Sequence, residues 1–552
     1  MSRSARVGLN LAIAITVVGA VAVPITGAHA APAQSTSFSA SEVGTIAPSH
    51  AARPTPAAKR AAVTQRGNRG LGKHAPSSNA PSAPTVNPSN THSTATVTSN
   101  FDGTSSRDSQ IANFNLEFEP PDQGLCVGNG YVVEPVNSAF RIFNTSGNTL
   151  AGPSNVNDLY NEGALQFTSD PRCYYDATTN TWFATILFIA TNNGAFGTTS
   201  HLDIAVNPTG NPMNVWTEYQ FDTTDKTNKG CNAHLGGCFG DQPKLGIDQN
   251  NVYVSTDEFG ITSNTYNGAQ IFAFSKSDLI AGGSVHYALF KNLKNADGSI
   301  AGPLQPAITT GTPSAEYFMD ALDPNGTGDN RIGVWALTNG AAVSSGKAPT
   351  LSTIIANSEP YAIPPDAAQK GSTSTITNNL DDRMQQTQYI NGTIWGELDT
   401  AITISGDSAT RSAGAWFAVT PTLSHGVISS ASVNRQGYVA QKGNYVMYPA
   451  LQVASSGNAA MVFTLSGSTI YPSAAYSWLS AGSSNFSAPQ VAASGTGPYD
   501  PNGTRWGDYS WAVIDPTADA FWLATEYIPP VGSQTTDGAL NWGTRVFEVS
   551  AG

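Results

Sequence analysis

Acidic residues recur at both ends of short hairpin-like segments in this chain, and their type and spacing could support chemistry. In Phe239–Phe259, the first strand-like run begins near Asp241 and the second ends in Asp257 and Glu258. Asp508 opens a similar segment near the C-terminus. Such carboxylates could act as the acid and base of a glycosidase, bind Ca²⁺ through oxygen ligands, or fix turns by accepting N–H groups.

The hairpin arrangement predicts that these acids share one surface. If the first strand of each segment starts at one face and its partner returns antiparallel, the acids at both ends meet there. The predicted acidic mouth comprises Asp122, Glu134, Asp170, Asp241, Asp257, Glu258, Asp382, Glu397, Asp399, Asp508 and Glu526. Its candidate catalytic carboxylates are Asp241, Asp382 and Asp508, and its candidate Ca²⁺ ligands are Asp122, Asp170, Asp241 and Asp508.

Arginines lie beside several of these acids. The three of interest are Arg172, Arg383 and Arg505, which could together clamp a substrate carboxylate, with Glu526 as a further substrate-binding residue. They could instead neutralise crowded carboxylates, because an unpaired buried acid is costly. Strand alternation places Asp382 and Arg383 on opposite faces, which weakens a common clamp.

Short strands separated by turns must position these residues. β-Branched and aromatic runs alternate with Gly, Asn, Asp and Pro from Phe101 onward, which is typical of an all-β fold. Seven segments can be superposed with their acids and turns in step: 121–137, 169–188, 240–259, 305–323, 380–399, 448–466 and 507–527. Further strand-like sequence follows each segment and gives four strands per unit, which predicts a seven-bladed β-propeller over residues 101–552. A tandem of β-sandwiches is the alternative, and Ile111–Phe118 is a candidate extra strand for the last blade.

Several of these segments resemble a known group of proteins. The motifs are PPDQGLCVG, SDPRCYYD, GDQPKLGID, EYF (316–318), DDRMQ, YPSAAY, RWGDYS and WGT (542–544). They are similar to motifs of secreted bacterial proteins, mostly uncharacterised, with a sialidase-like (BNR-type) β-propeller fold. The resemblance covers about residues 119–550 and implies export and the propeller. In a sialidase-like scheme Tyr448 would be the nucleophile, although the S-x-D-x-G-x-T-W box of sialidases is missing.

The N-terminal hundred residues differ from the rest of the chain. Arg3 and Arg6 precede a largely apolar run over residues 7–23, and residues 28–30 form an A-x-A cleavage site. This pattern predicts a signal peptide over residues 1–30, with an uncleaved anchor as the alternative. Residues 31–100 are rich in Ala, Pro, Ser and Thr, and we expect a disordered basic linker or pro-segment there. No later stretch is apolar enough to span a bilayer, so a soluble, monomeric mature protein is expected.

The charge distribution excludes one class of partner. Residues 1–100 hold eight Lys/Arg and one acidic residue of the 26 basic and 39 acidic groups in the chain. The remaining residues therefore hold 18 basic and 38 acidic groups. Because binding of nucleic-acid phosphates needs a basic face, nucleic acid is not expected as a partner.

Four cysteines in an exported chain favour disulfide bonds. Cys126 and Cys173 lie at nearly matching depths of the first strands of consecutive units, which predicts the pairing Cys126–Cys173, and Cys231–Cys238 is the second predicted pairing. Their loops of 48 and 8 residues would contribute roughly 4 and 2 to 3 kcal/mol in the chain-entropy model. A zinc site at Cys231, His234 and Cys238 is the alternative, although it offers only three of the four ligands that structural zinc normally has.

These features predict an extracellular protein that binds a glycan or a cell-envelope polymer at the acidic mouth. A glycoside hydrolase using paired carboxylates is the alternative, in which the Asp241→Asn and Asp508→Asn variants would fold but lose turnover. A structural surface scaffold is a third hypothesis. The sequence has no G-x-S-x-G, H-E-x-x-H or P-loop motif, and its eight histidines are too scattered to predict a triad.

Overall fold

Strand pairing among the described residues gives seven successive groups of four antiparallel strands, so the predicted all-β class is confirmed. The computed structural model describes residues 35–46, 83–192, 195–226, 231, 237–261, 265–322, 328–376, 381–499, 505–536 and 538–552. In every group the first strand pairs with the second, the second with the third and the third with the fourth.

The strands of the first four groups are as follows, in chain order. Group 1 comprises Cys126–Gly128, Tyr131–Pro135, Ala139–Asn144 and Thr149–Asn155; group 2 Phe167–Asp176, Thr181–Asn192, Ala195–Asn207 and Thr217–Asp222; group 3 Cys238–Ile247, Asn251–Gly260, Tyr266–Ser275 and Val285–Phe290; group 4 Gln305–Thr309, Ala315–Ala321, Asp329–Thr338 and Thr350–Tyr361. The first strands of groups 3 and 4 are also joined by one parallel pairing, between Ile247 and Ile308.

The last three groups follow the same pattern. Group 5 comprises Met384–Ile390, Thr393–Ile404, Thr410–Ser424 and Val427–Val439; group 6 Asn444–Val453, Ala459–Gly467, Ile470–Leu479 and Gln490–Ala493; group 7 Trp511–Ile514, Ala520–Tyr527, Gly543–Ala551 and, from the N-terminal side, Ala95–Ser105. The short helical segments are Ser106–Ala112, Val156–Leu159, Lys276–Ala281, Gly340–Ser345 and Val531–Ser533.

The fourth strand of group 7 corrects one sequence prediction. Ala95–Ser105 pairs antiparallel with Gly543–Ala551, whereas the sequence favoured Ile111–Phe118 for this role. The chain instead enters the helix Ser106–Ala112, because Ser105 and Asp108 form a capping box that satisfies free N–H groups at the helix start.

The predicted linker also contains more structure than its composition indicated. Three short strands lie within it: Thr36–Phe38 pairs with group 4, Glu42–Ile46 with group 3 and Thr85–Val86 with group 5. Segments with few apolar residues can gain order by adding to an exposed strand edge, where the edge backbone supplies the hydrogen bonds. The linker prediction is therefore wrong for these described residues.

The predicted signal peptide, residues 1–30, lies outside the described residues. Within the part of the chain that the structure describes, no helix is long and apolar enough to cross a membrane.

Both predicted disulfide bonds are confirmed. Cys126–Cys173 links the first strands of groups 1 and 2 with a Cα–Cα distance of 5.4 Å, and Cys231–Cys238 spans 4.8 Å. Because all four cysteines are bonded, the alternative of a zinc site on the Cys231 and Cys238 thiolates is wrong.

The tryptophans on or beside the first hairpins belong to the core. These are Trp182, Trp395, Trp506, Trp511 and Trp522, and each is at most 7% exposed. They pack in clusters with aliphatic and aromatic neighbours. Their rings therefore serve packing, and little of their surface is left for stacking against a sugar.

A repeated bulge sets the direction of side chains where the first strands begin. Asp170, Gln242 and Tyr448 each have a left-handed backbone and each precede a proline, and Asp122 has the same backbone at the start of group 1. In groups 2, 3 and 6 the strand pairing skips this residue and its proline. Bulges near functional sites commonly redirect a side chain, and left-handed non-glycine residues are uncommon elsewhere.

Candidate functional site

Three aspartates from groups 1, 2 and 7 meet where the first strands begin. Asp122, Asp170 and Asp508 each place a carboxylate oxygen within 4.8 Å of the others. They are 2%, 7% and 7% exposed, respectively. We call these residues the aspartate triad. All three were among the candidate Ca²⁺ ligands, and Asp508 was also a catalytic candidate.

Hydrogen bonds hold the triad in place. The backbone N–H of Asp508 donates to Asp122 Oδ1 at 2.5 Å. The side-chain amide of Asn137 donates to Asp122 Oδ2 at 2.6 Å, and its Oδ1 accepts the backbone N–H of Asp170 at 2.7 Å. Asn137 thus bridges two members of the triad. Sequence reasoning missed this residue, although it closes the first repeated segment at position 137.

The three carboxyl groups have different surroundings. Burial, followed by the charge of Asp508, raises the pKa of Asp122 to about 7. Burial, with the neighbouring charges of Asp122 and Asp241, raises the pKa of Asp170 well above its usual range. The carboxyl of Asp170 accepts no hydrogen bond within the described residues, whereas Asp508 Oδ2 forms an ion pair with Arg505 at 2.5 Å. A charge-assisted bond of this kind stabilises an ionised carboxylate.

Two arginines balance part of the charge of the triad. The side chain of Arg505 is 22% exposed and that of Asp508 is 10% exposed, so the site reaches the surface there. Arg172 is fully buried, and its guanidinium lies 3.1 Å from the ring centroid of Tyr509. None of its three nitrogens has a hydrogen-bond partner in the described structure. Burial lowers the pKa of Arg172, while the charges around it, including the triad, oppose that effect.

Arg383 belongs to an adjacent network. Its guanidinium donates two hydrogen bonds of 2.6 Å to Asp381 and a third to Gln242. It also lies 3.7 Å from Asp257, which forms a buried ion pair with Lys244 at 2.7 Å. Because these donors are already engaged, Arg383 does not join Arg172 and Arg505 in the predicted three-arginine clamp.

At two positions of the predicted site, the neighbouring residue takes the place expected for the acid. Gln242, and not Asp241, occupies the bulge that carries Asp170 in group 2; Asp241 lies opposite Asp257 in the strand pair and interacts electrostatically with Asp170. Asp381, and not Asp382, binds Arg383, while Asp382 interacts electrostatically with Tyr361. These shifts put Asp241 at the edge of the triad and leave Asp382 outside it.

The remaining acids of the predicted mouth divide into near and distant groups. Glu526 accepts the backbone N–H of Gly507 at 2.6 Å, and its pKa is raised by burial and by the charges of Asp122 and nearby acids. Tyr448 is buried beside Asp508 and Asp399, and burial together with the charge of Asp508 raises its phenol pKa. Both residues therefore adjoin the triad.

The other acids serve hydrogen bonds within and between the sheets. Asp399 accepts the backbone N–H of Tyr448 at 2.8 Å, and Glu134 accepts that of Thr104 at 2.6 Å. Glu258 accepts from Gln270 at 2.7 Å, and Glu397 interacts with backbone N–H groups of Gln386 and Leu451. These donors lie outside the acids' own turns, so Glu134, Glu258 and Asp399 fit a structural role that joins strands and not the fixing of a turn.

Glutamine side chains connect first strands beyond the triad. Gln386 of group 5 donates to Ala512 O of group 7 at 2.9 Å, and Gln388 donates to Val453 O of group 6 at the same distance. At the turn end of these strands lies a cavity of about 740 Å³ lined in part by Ile247, Ile308, Ile390 and Ile514. The polar triad and this cavity therefore lie at opposite ends of the first strands.

The triad could also hold a cation. Its three carboxylates are close enough to share one ion, and Ca²⁺ accepts oxygen ligands of this kind. However, Arg505 is bonded to Asp508, and both Arg172 and Arg505 interact electrostatically with the triad. Two positive side chains already offset much of the triad's charge, so a divalent cation is the less favoured occupant.

Comparisons with known proteins identify no family. No family model matches the sequence, and no curated protein matches it. Similar solved structures include an exo-β-1,3-galactanase from Clostridium thermocellum (10% identity, 82% of this chain and 96% of that one, TM-score 0.31). Two others are a Hadza microbial sialidase (9%, 76% and 73%, 0.36) and a Trypanosoma rangeli sialidase (10%, 78% and 58%, 0.34). Likenesses at this level do not assign an activity to this chain.

The raised carboxyl pKa values predict that stability falls as pH rises. The pKa of Asp320, like that of Asp122, is raised to about 7, chiefly by burial. Both groups bind a proton more tightly in the folded than in the unfolded chain, so their contribution is largest below about pH 4 and is lost as pH rises through 7. Each could change the free energy of unfolding by up to ~4 kcal/mol. Urea unfolding should therefore show a less stable protein at pH 8 than at pH 5.

An Asp407→Asn variant provides the control for this pH experiment. Its hydrogen bonds with Arg411 lower the pKa of Asp407, so this group stays ionised from pH 5 to 8. The variant should keep the pH difference of the unmodified chain. Equal or greater stability of the unmodified chain at pH 8 would contradict the assignment of raised pKa values.

Proposed function

We propose that this protein is a glycoside hydrolase whose catalytic carboxyls are Asp170 and Asp508. The observation that carries the proposal is their contrast within 4.8 Å: Asp508 is paired with Arg505, while Asp170 has a raised pKa and its carboxyl accepts no hydrogen bond from the residues that the structure describes. Neighbouring carboxyls with opposed environments are the usual division between a general acid and a nucleophile or base.

The same contrast gives each residue a role. Asp170, whose pKa is raised by burial and by the neighbouring carboxyls, donates its proton to the glycosidic oxygen. Asp508, held by Arg505, attacks the anomeric carbon, and Asp170 then deprotonates the water that releases the sugar. Asp122 supports the acid, because its carboxyl adds negative charge next to Asp170. Carboxyl groups of retaining enzymes are ~5–5.5 Å apart and those of inverting enzymes ~6.5–9.5 Å apart, so the short spacing supports retention of configuration.

The arginines indicate the substrate class. Of the three predicted clamp residues, Arg505 is the one whose side chain is partly exposed, while Arg383 is engaged by Asp381 and Arg172 is fully buried. A substrate carboxylate would therefore meet one available arginine, which is already paired with Asp508. We infer a neutral glycan as the substrate and not a sialic acid.

The architecture proposed for this site is a closed seven-bladed propeller. Contacts between Asp508 and Asp122 join the last group to the first, and Ala95–Ser105 completes group 7 beside the C-terminal strand. Export is also proposed: the two disulfide bonds fit an oxidising compartment, and the N-terminal pattern is that of a signal peptide. N-terminal sequencing of exported protein should find Ala31 first.

A glycan-binding module without turnover is the second candidate. The low exposure of the triad favours it, because a catalytic carboxyl must reach the bond that is cleaved. In that case an extracellular glycan or envelope polymer would bind at Arg505, whose side chain is 22% exposed, and at the adjoining Asp508.

A glycan screen with product analysis tests the proposed function. Purified full-length protein should release sugar from at least one neutral polysaccharide, and NMR of the first product should show the anomeric configuration of the substrate. The reaction should persist with EGTA, since Ca²⁺ is not the favoured occupant. Binding to a polysaccharide without any release would establish the binding module instead, and an inverted first product would exclude the retaining mechanism.

A further inference from the structure

A second cluster of ionisable groups lies on group 2, away from the aspartate triad. His201 Nδ1 lies 2.5 Å from Asp203 Oδ1, and His201 Nε2 lies 3.7 Å from Glu162 Oε1. One potential ligand atom from each residue falls within 4.8 Å of the others. We call Glu162, His201 and Asp203 the His201 cluster.

Local structure explains how the cluster forms. His201 and Asp203 are two residues apart on the strand Ala195–Asn207, so they share a face. Glu162 follows the helical turn Val156–Leu159 and accepts a hydrogen bond from the amide of Gln220 on the neighbouring strand. The imidazole ring stacks on Phe188 with a centroid separation of 3.9 Å. These contacts fix the orientation of the ring.

The cluster is buried, and polar atoms in and beside it lack hydrogen-bond partners among the described residues. The side chains of Glu162, His201 and Asp203 are 10%, 14% and 2% exposed. Asp203 Oδ2 has no hydrogen-bond partner in the described structure, and neither has the buried hydroxyl of the nearby Tyr160. A buried carboxylate oxygen without a partner is costly, so it points to a group that would satisfy it.

The local charge balance identifies the kind of group. Glu162, Asp203 and the neighbouring Glu218 interact electrostatically with one another. Within the described residues, no Lys or Arg forms an ion pair with Glu162 or Asp203, and His201 is their one basic partner. This contrasts with the aspartate triad, where Arg505 supplies a positive charge. The missing group should therefore be a cation.

We propose that Glu162, His201 and Asp203 bind one divalent transition-metal ion, for which Zn²⁺ is the best match. One imidazole and two carboxylates are ligands that Zn²⁺ accepts, and three protein ligands would leave a fourth position for water. Ca²⁺ matches less well because it takes oxygen ligands, whereas imidazole nitrogen suits transition metals. Glu218 adds negative charge beside the site.

Zinc titration of the full-length chain without a polyhistidine tag tests the proposal. Isothermal titration calorimetry should show one Zn²⁺ site per chain, and Co²⁺ at that site should give visible absorption bands. Asp203→Asn and Glu162→Gln should each weaken Zn²⁺ binding by at least ~10-fold, since a ligand oxygen is lost. Circular dichroism would verify that both variants fold.

Two control variants separate this site from other histidines and acids. His286 pairs with Asp278 at 2.8 Å on a more exposed surface, so His286→Ala removes a similar pair and should leave Zn²⁺ binding unchanged. Asp508→Asn alters the aspartate triad and should also leave it unchanged. Absence of a Zn²⁺ site in the unmodified protein, or unchanged binding in folded Asp203→Asn and Glu162→Gln variants, would overturn the proposal. A preference for Mn²⁺ would keep the site and replace Zn²⁺ as its ion.

Discussion

Asp170→Asn should abolish most turnover while leaving the protein folded. A general acid contributes about 10²–10⁴-fold to the rate, so kcat should fall by that factor on any glycan that the unmodified protein cleaves. The fold should persist because Asp170 has a left-handed backbone, which asparagine tolerates well. Its backbone N–H, which binds Asn137, is not changed by the substitution.

The measurement pairs steady-state kinetics with thermal unfolding. Replacing a buried acid with a neutral amide should leave the Tm of Asp170→Asn unchanged or higher at pH 7. Asp320→Asn is a matched control, since Asp320 is also buried with a raised pKa but lies on group 4, outside the triad. That variant should retain kcat. Full activity in folded Asp170→Asn would remove Asp170 from the mechanism.

Arg383→Ala should cause the largest loss of stability, about 3–5 kcal/mol in the free energy of unfolding. Arg383 is 5% exposed and holds both oxygens of Asp381, which is itself 2% exposed. Removing the cation leaves a buried carboxylate without its partner, and the desolvation of that charge is no longer offset. Urea denaturation at pH 7 measures the difference.

Arg331→Ala is the control for this substitution. Arg331 also binds two acids, Asp329 and Asp297, but its side chain is 35% exposed. Solvent screens the pair with Asp297, which is 33% exposed, but Asp329 is 7% exposed, so Arg331→Ala should cost less stability than Arg383→Ala without being neutral. Similar losses in both variants would mean that burial does not control the strength of the Arg383 network.

The observed site differs from the site predicted from sequence at single residue positions. Asp122, Asp170 and Asp508 could be grouped from sequence because each lies near the start of a first strand, and these strands start at one end of the sheets. The bulge could not be placed from sequence, and a slip of one residue reverses the face of a side chain. For this reason Gln242 takes the place expected for Asp241, and Asp381 takes the arginine contact expected near Asp382.

The His201 cluster was hidden for a related reason. His201 and Asp203 have the spacing of neighbours on one strand face, but this spacing is common in strands and carries no specific signal. Glu162 precedes His201 by 39 residues and lies in the segment that connects group 1 to group 2. The cluster forms because that segment packs on the sheet, and no local sequence pattern predicts this packing.

The sequence by itself determined the all-β class, the repeated acidic hairpins and the two disulfide pairings, because strand alternation and repeat position are local properties of the chain. Only the tertiary structure decided which carboxyls share a site, which carboxyls bind Arg383, and which strand completes group 7. These outcomes depend on bulges and on edges that pair with distant segments. Their energies come from contacts between residues far apart in sequence, which a local pattern does not encode.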